Sequence, residues 1–420
     1  MTGPPGRSRA PLKILLAHNH YQSGSPSGED IVFRMERELL EQAGHTVVTY
    51  QRSNDEIGAS FAARCSVALE AIWSSRTHGE MTELLRRERP DIAHFHNTFP
   101  LISPSAYRAC QEMHVPVVQT LHNYRLICAG ALLLRNGQPC EDCVGRSPWK
   151  GVAHGCYRDS KSATAGTAAM LHFNRLRGSY ERDVDSYIAL TEFAKARFIR
   201  GGLPAEKLVL RSNYMLDVPA VGTGEGGYAL YAGRLTTEKG VHTLIRAWRD
   251  IPDLPLKIVG DGALRPVLEM EARRDGSDIE FLGFRPRNEV AELMRGAVLA
   301  VIPSECYEGA FPLAAIEALA TGTPVVASAL GGLDEVIAAP DNGVKFIAGQ
   351  PHSLRAAVLT LIQDEALLRQ ARVNNRRLFE ERFAPGRALA TLMDLYQRLL
   401  HQRQSRQPVQ LRDVGQAAVD

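Results

Sequence analysis

Short apolar runs alternate with stretches of helical period along almost the whole chain. Residues 12–18, Leu-Lys-Ile-Leu-Leu-Ala-His, read as a buried strand, Gly24 to Gly28 as a loop, and residues 29–43 as an amphipathic helix. Gly44-His45 stops that helix before a second strand at 46–50. Further strand-like runs stand at 92–96, 115–121 and 187–190, separated by helical stretches such as 80–89 and 104–113. This succession predicts a parallel sheet covered on both faces. The pattern restarts at Tyr228–Gly233, with a helix near 239–250 and strands at 256–259, 279–282, 297–302 and 324–328. Two α/β halves, each doubly wound and Rossmann-like, are implied, and two facing sheets create a cleft, since ligands of such sheets bind beyond the carboxyl ends of the strands.

The small, glycine-rich, aperiodic stretch Val218–Gly227 is the best linker candidate. After Pro385, Leu389, Leu392, Tyr396 and Leu399 lie at helical spacing and give a last helix with one apolar stripe. The expected division is a first domain at 11–217, a second at 218–383, a helix at 384–401 and a fraying polar tail at 402–420.

Composition narrows the function classes. With 420 residues, 45% hydrophobic and 23% charged, the chain is long enough for two domains. Lys and Arg number 49 against 47 Asp and Glu, so no nucleic-acid footprint is expected. No run of about 18 apolar residues occurs and residues 1–10 lack a signal peptide's apolar core, which leads to a cytoplasmic expectation. The arginine-rich stretch Leu84–Arg89 could face the inner surface of a membrane as a peripheral contact, or merely solvent.

The candidate chemistry gathers in the second half. Gly233-Arg234-Leu-Thr-Thr-Glu-Lys239-Gly240 places two cations in the loop between that half's first strand and first helix. Fixed cations beside a helix start can neutralise a departing diphosphate. Downstream, Ser304-Glu305-Cys306-Tyr307-Glu308 ends a strand, and Ala310-Phe311-Pro312-Leu313 leads into a helix carrying Glu317. A carboxylate inside such a helix can bind vicinal hydroxyls, as on a ribose, so the pairing suggests a nucleotide sugar. Glu305 is the rival of Glu308 for the first acid. Val259-Gly260-Asp261-Gly262 is either a simple turn or a turn whose missing side chains admit a ligand.

In the first half, Gly24-Ser-Pro-Ser-Gly28-Glu29-Asp30 is a glycine loop opening a helix. It lacks dinucleotide spacing, and Tyr50 is followed by Gln51-Arg52 instead of an acid, which argues against oxidoreductase chemistry. His94-Phe-His96-Asn97 and Thr120-Leu-His122-Asn123 end two strands; single histidines there are commonly core residues, but two His-Asn pairs at one sheet edge suggest a site. Cys128, Cys140, Cys143 and Cys156 fall in a segment with few apolar residues, and the Cys140-Glu-Asp-Cys143 spacing could hold a structural zinc, with nearby His154 as a substitute ligand. Free thiols are the alternative.

Together, the Gly24–Asp30 entry, the His-Asn strand ends, the Arg234/Lys239 loop and the glutamate segment resemble the retaining GT-B glycosyltransferases of family 4. Phe99-Pro100-Leu-Ile-Ser-Pro104 and Leu121–Tyr124, with the cysteine-containing insert, resemble a bacterial subgroup. The resemblance implies an α/β GT-B fold whose last helix crosses back onto the first domain. It also implies transfer of a hexose-type unit from a nucleoside-diphosphate sugar to an acceptor hydroxyl, in polysaccharide or glycoconjugate biosynthesis. The acceptor could be a glycan, a lipid-linked sugar or a small molecule. No cofactor or catalytic metal is required, because the two cations do a metal's work, and the departing diphosphate itself can accept the acceptor's proton.

By the same resemblance Arg234 and Lys239 hold the diphosphate, Glu308 and His122 meet the donor sugar, and Glu317 binds the ribose. Gly28, Gly260, Gly262, Gly283 and the Phe311, Pro312 and Leu313 backbone line the donor, with Phe284 beside Gly283 near the base. His96, Asn97 and Tyr124, with Thr98, shape the acceptor side. Eight residues separate Glu308 from Glu317, one more than the family's usual spacing. The extra residue belongs in the turn, since one more inside the helix would rotate Glu317 by roughly 100°. A sugar-nucleotide epimerase or phosphorylase on the same architecture, and a non-catalytic nucleotide-sugar-binding module, are the competing readings.

Overall fold

The apolar runs become two parallel sheets in the computed structural model, which describes residues 10–23, 27–309 and 311–406. In the first half, β1 (Lys13–His20), β2 (Thr46–Ser53), β3 (Ile92–Phe95) and β4 (Val117–Leu121) precede a small hairpin, β5 (Leu134–Arg135) and β6 (Gln138–Pro139). β7 (Ser186–Ala189) and β8 (Leu208–Leu210) complete a six-stranded sheet of order β2-β1-β3-β4-β7-β8. Ile14, Leu15, Leu16 and Ala17 of β1 are all buried, as a strand covered on both faces requires.

The second half repeats the plan with β9 (Ala229–Ala232), β10 (Leu256–Val259), β11 (Ile279–Gly283), β12 (Leu299–Ile302), β13 (Val325–Ser328) and β14 (Gly343–Phe346). Their order is β11-β10-β9-β12-β13-β14, again six strands and all parallel. The reversal of strand order beside β9 and β12 puts the β9 and β12 loops at the switch point, where the cations and Glu308 lie.

The C-terminal helix, Pro385–Arg406, crosses back to the first half. Leu392, Met393, Leu395, Tyr396 and Leu399 share one buried cluster with Ile14, Leu16, Phe33, Ile92, Val118 and Ile188. The helix runs to Arg406, past the expected end at 401, and Arg403 in the extra turn hydrogen-bonds Gln111 at 2.7 Å. The rest of the expected tail, 407–420, lies outside the described residues.

Val218–Gly227 is not a free connection. Gly222, Gly224 and Gly226 donate backbone hydrogen bonds to Thr321, Arg295 and Gly296 of the second half. A Cβ at Gly222 would stand 2.1 Å from the Arg295 carbonyl oxygen, so glycine allows a close approach here. The passage between the halves occurs earlier: Tyr214 packs with Val32, Met35 and Leu39 of the first half, and Met215 with the second half's core.

The fully buried Leu392 is the anchor of the crossing helix. Leu392→Ala is expected to lower unfolding free energy by about 2–5 kcal/mol, measured by denaturant titration; a change under about 1 kcal/mol would mean the helix is not fastened through this residue.

Candidate functional site

β9 ends at Ala232 and the loop after it carries Arg234, a short 3-10 turn Thr237–Lys239, and Gly240, which has a φ of 68°. A Cβ on Gly240 would lie 1.8 Å from the carbonyl oxygen of Pro303, so only glycine lets this loop touch the end of β12. That contact sets Lys239 beside Glu308: Lys239 Nζ donates to Glu308 Oε1 at 2.7 Å, and Ser304 Oγ donates to the same oxygen at 2.6 Å. Burial would lower the Lys239 pKa, but the Glu308 carboxylate more than offsets it and holds the ammonium above its usual range. Arg234 is half exposed and reaches Glu238 at 3.3 Å.

Glu305 turns away from this group and accepts a 2.5 Å hydrogen bond from Thr243. Of the two rival acids, Glu308 is the one next to the cation. The helix bearing Glu317 runs Leu313–Thr321, with Pro312 as its N-cap. Phe311 is fully buried and stacks on Phe383, so its side chain belongs to the core; Ala310 lies outside the described residues. Glu317 is largely buried, burial raises its pKa, and its partner is Arg287 at 3.4 Å. Arg287 was not among the residues expected, and it also contacts Met35 of the first half at 3.2 Å.

The first half presses against this segment. A Cβ on Gly309 would stand 2.4 Å from the His122 carbonyl oxygen and 2.8 Å from Asn123 Cα, and Tyr124 donates to the Glu308 carbonyl oxygen at 3.2 Å. Gly28, at the start of its helix, faces Leu313, with 4.0 Å between its Cβ position and Leu313 Cδ1. Thus Gly28, His122, Glu308 and Leu313 meet between the halves. Gly24 of the entry loop lies outside the described residues.

His96 and His122 do come together, His122 Nε2 lying 3.0 Å from His96 Nδ1. Both are buried, and burial lowers both pKa values, His96 to about 4, so both rings are neutral at pH 7. The three residues expected on the acceptor side differ in exposure. His96 and Tyr124 are buried and committed to protein partners, and part-exposed Asn97 bonds the Asn19 carbonyl oxygen in β1 and the Phe99 amide. Neither His96 nor Tyr124 presents an open face. Thr98 is likewise buried, against Tyr107.

Gly260, with φ 127°, and Gly262 lie against the Gly233 and Leu235 carbonyl oxygens, at 1.9 and 2.5 Å from their Cβ positions. Their small size is thus used for loop against loop. Gly283 has φ 70° and neighbours Arg265, while Phe284 is exposed. Cys128, Cys140, Cys143 and Cys156 form no disulfide. Among the described residues, groups with three metal-ligating atoms within 4.8 Å of one another are His18/His20/Asp30 and Glu36/His94/His96. The four cysteines are not such a group, although they are neighbours: burial chiefly, with Cys128, Cys156 and Cys140 adding to it, pushes the Cys143 thiol up to about 11.

Glu29 is the residue that spacing alone did not single out. Ser27 caps its helix reciprocally with Asp30, which fixes Glu29 toward Asn123, whose Nδ2 donates to Oε1 at 2.7 Å. The other oxygen, Oε2, is buried with no hydrogen-bond partner. Burial, with Asp30 adding to it, pushes the Glu29 pKa up to about 7 against the pull of Asn123, Arg125 and Arg234. A helix-start acid reads as an ordinary dipole partner in sequence, and only the fold shows its burial.

Comparison with known proteins follows the same division. Residues 27–213 match the model of the glycosyl transferase 4-like domain, and 222–378 that of glycosyl transferases group 1. The chain is 29% identical over 240 residues to an uncharacterized glycosyltransferase of Methanocaldococcus jannaschii, covering 56% of this chain and 67% of that one. It is 31% identical over 300 residues to glycogen synthase of Mycobacterium tuberculosis, covering 70% of this chain and 65% of the relative. The matches thus span about two thirds of these relatives' lengths. Among solved structures, sucrose-phosphate synthase of Thermosynechococcus elongatus superposes with a TM-score of 0.71 at 20% identity, over 93% of this chain and all of that one. Anabaena HepE in complex with UDP-glucose gives 0.60 at 19% identity, over 94% of this chain and 100% of that chain.

Two expectations test this geometry. Gly309→Ala should hold the halves apart and weaken the domain contact, seen as faster hydrogen exchange of the Tyr124 and Gly309 segments; unchanged exchange would contradict the close approach. For Glu29, the folded state keeps its proton up to about pH 7 while the unfolded chain releases it near 4.5, so the native protein loses stability as pH rises through that window. Glu29→Gln should remove the loss, its stability relative to the parent improving by roughly 3 kcal/mol between those limits, as read from denaturant unfolding at each pH.

Proposed function

We propose, from the premise that this chain is a glycosyltransferase of GT-B type, that it is a retaining hexosyltransferase of family 4 using a nucleoside-diphosphate sugar. The observation that carries the reading is the Lys239–Glu308 pair at 2.7 Å, held at the sheet switch point where the first half's His122 meets Gly309. An ammonium poised there meets a diphosphate as charge develops on it, and half-exposed Arg234 in the same loop adds a second cation. Glu308 then has its carboxylate free for sugar hydroxyls. Glu317, inside the helix that starts at Leu313, takes the ribose, with Arg287 beside it.

The reaction breaks the bond between the anomeric carbon and the diphosphate oxygen and forms one to the acceptor oxygen on the same face. The departing diphosphate takes the acceptor's proton, so no protein nucleophile is needed. The protein's share is alignment and charge stabilisation. UDP and UDP-glucose are the ligands of structurally similar Anabaena HepE, which makes a UDP-sugar the first donor to try. A glycan, lipid-linked or small-molecule acceptor suits the reading, in polysaccharide or glycoconjugate synthesis on the cytoplasmic side. Among the described residues no helix is long and apolar enough to cross a membrane, so contact with lipid-linked acceptors would be peripheral.

Incubation with labelled nucleotide sugars, with and without acceptors, tests the proposal. Acceptor-dependent release of nucleoside diphosphate and a product that keeps the donor's anomeric configuration, by proton NMR coupling, are expected. Inverted product overturns retention; conversion of the sugar without any acceptor favours the epimerase. Arg234→Ala or Lys239→Ala should reduce turnover by about 10²–10³, and near-normal rates would remove these side chains from the site.

A further inference from the structure

Behind His122 lies a chain of buried ionisable side chains for which the proposed transfer has no assigned use. Glu36, on the Gly28–Gln42 helix, is fully buried and paired through Oε2 with the buried Arg211 at 2.6 Å. Its other oxygen, Oε1, lies 3.0 Å from His94 Nδ1 and 3.5 Å from His96 Nε2. His94 is satisfied independently, by Tyr396 on the crossing helix at 2.7 Å and by Thr120 at 2.8 Å. His96 Nδ1 is 3.0 Å from His122 Nε2, the single ring hydrogen bond His122 makes among the described residues.

From this geometry we infer that Glu36 and His96 are positioning residues that fix the tautomer of His122. The arrangement of protons follows from the carboxylate. Glu36 is ionised against Arg211, and although its Oε1 and His96 Nε2, 3.5 Å apart, form no hydrogen bond, a lone pair on Nε2 would face the carboxylate, so Nε2 carries the hydrogen. His96 Nδ1 is then a bare acceptor, and His122 must supply the hydrogen between the rings from its own Nε2. That leaves His122 Nδ1 as a lone pair, able to accept a hydrogen bond from a hydroxyl in the cleft and unable to donate one. The groups around the chain keep the proton count fixed: Arg211 and Glu36 cancel, His94 and His18 adjoin it, and neutral His96 and His122 complete it. The role for a hydroxyl rests on the proposed transferase reading, in which His122 meets the donor sugar; the tautomer itself does not.

Long-range nitrogen–proton correlation spectra of the full chain with nitrogen-15-labelled histidine test this, His122 being assigned by its loss in His122→Gln. At neutral pH the parent is expected to show His122 protonated on Nε2 alone, and a hydrogen on Nδ1 would overturn the inference without any further variant. In Glu36→Gln, whose amide can donate as well as accept, His122 should become a mixture of tautomers. Turnover should then fall about 10- to 100-fold, the scale on which carboxylates orienting a ligand histidine act, with donor dissociation constant unchanged. Should Arg211 left unpaired prevent folding, Glu36→Gln combined with Arg211→Met removes both charges and serves the same comparison. An unaltered tautomer and rate in a folded variant overturn the positioning role. Full turnover in His122→Gln, with the parent tautomer as inferred, would instead overturn the functional use of His122 while leaving the proton arrangement intact.

Discussion

Everything at the site depends on backbone meeting backbone where a side chain cannot fit. Gly240 lets the cation loop rest on the Pro303 carbonyl, and Gly309 lets the acid-bearing turn rest on His122 and Asn123 of the other half. The first contact brings Lys239 to Glu308; the second brings the pair to the histidines. Neither distance could be kept by rotamer changes, because the obstructing atoms are main-chain atoms. The two glycines therefore fix the site's dimensions more firmly than the charged residues that give it chemistry.

A second constraint is electrostatic. A carboxylate as deeply enclosed as Glu36 needs a full counter-charge, and Arg211 supplies it from the segment just before the chain leaves the first half. Arg211 also donates to the Ala388 carbonyl oxygen at 3.1 Å, at the beginning of the crossing helix. One guanidinium thus ties the first helix of the chain, the departing strand and the returning helix together. Asp30 plays a comparable part nearer the cleft, accepting from His18, His20 and the Ser27 amide.

Much of this was legible in the chain. Apolar runs bounded by glycine mark β1 to β4, β7 and β9 to β13, and the cations and acids on either side of Gly240 and Gly309 can be read directly. β8 and β14 escaped because they are edge strands, three and four residues long, the latter with a lysine at its middle. Glu36 reads as one more solvent-facing charge in the run Arg34-Met-Glu-Arg37, since its partner lies 175 positions downstream. The histidines divide similarly. His122 stood out by its place after a strand, while the contact of His94 with Tyr396 spans 302 positions that periodicity cannot bridge. Glycines were easy to find and hard to interpret: Gly260 and Gly262 accommodate a neighbouring loop, whereas Gly28 faces the other half.

The strap at Val218–Gly227 leads to a last point about hinge mechanics. Because its amides are pinned to the second half, it travels with that half as ballast. Among the described residues the chain passes between the lobes at two necks, one where Tyr214 gives way to Met215 and one between Phe383 and Ala388. The crossing helix is seated on the first lobe, and Tyr214 and Ala388, one from each neck, share one buried cluster. The two crossings are therefore fastened to each other, and neither can shift without disturbing the cluster that seats both.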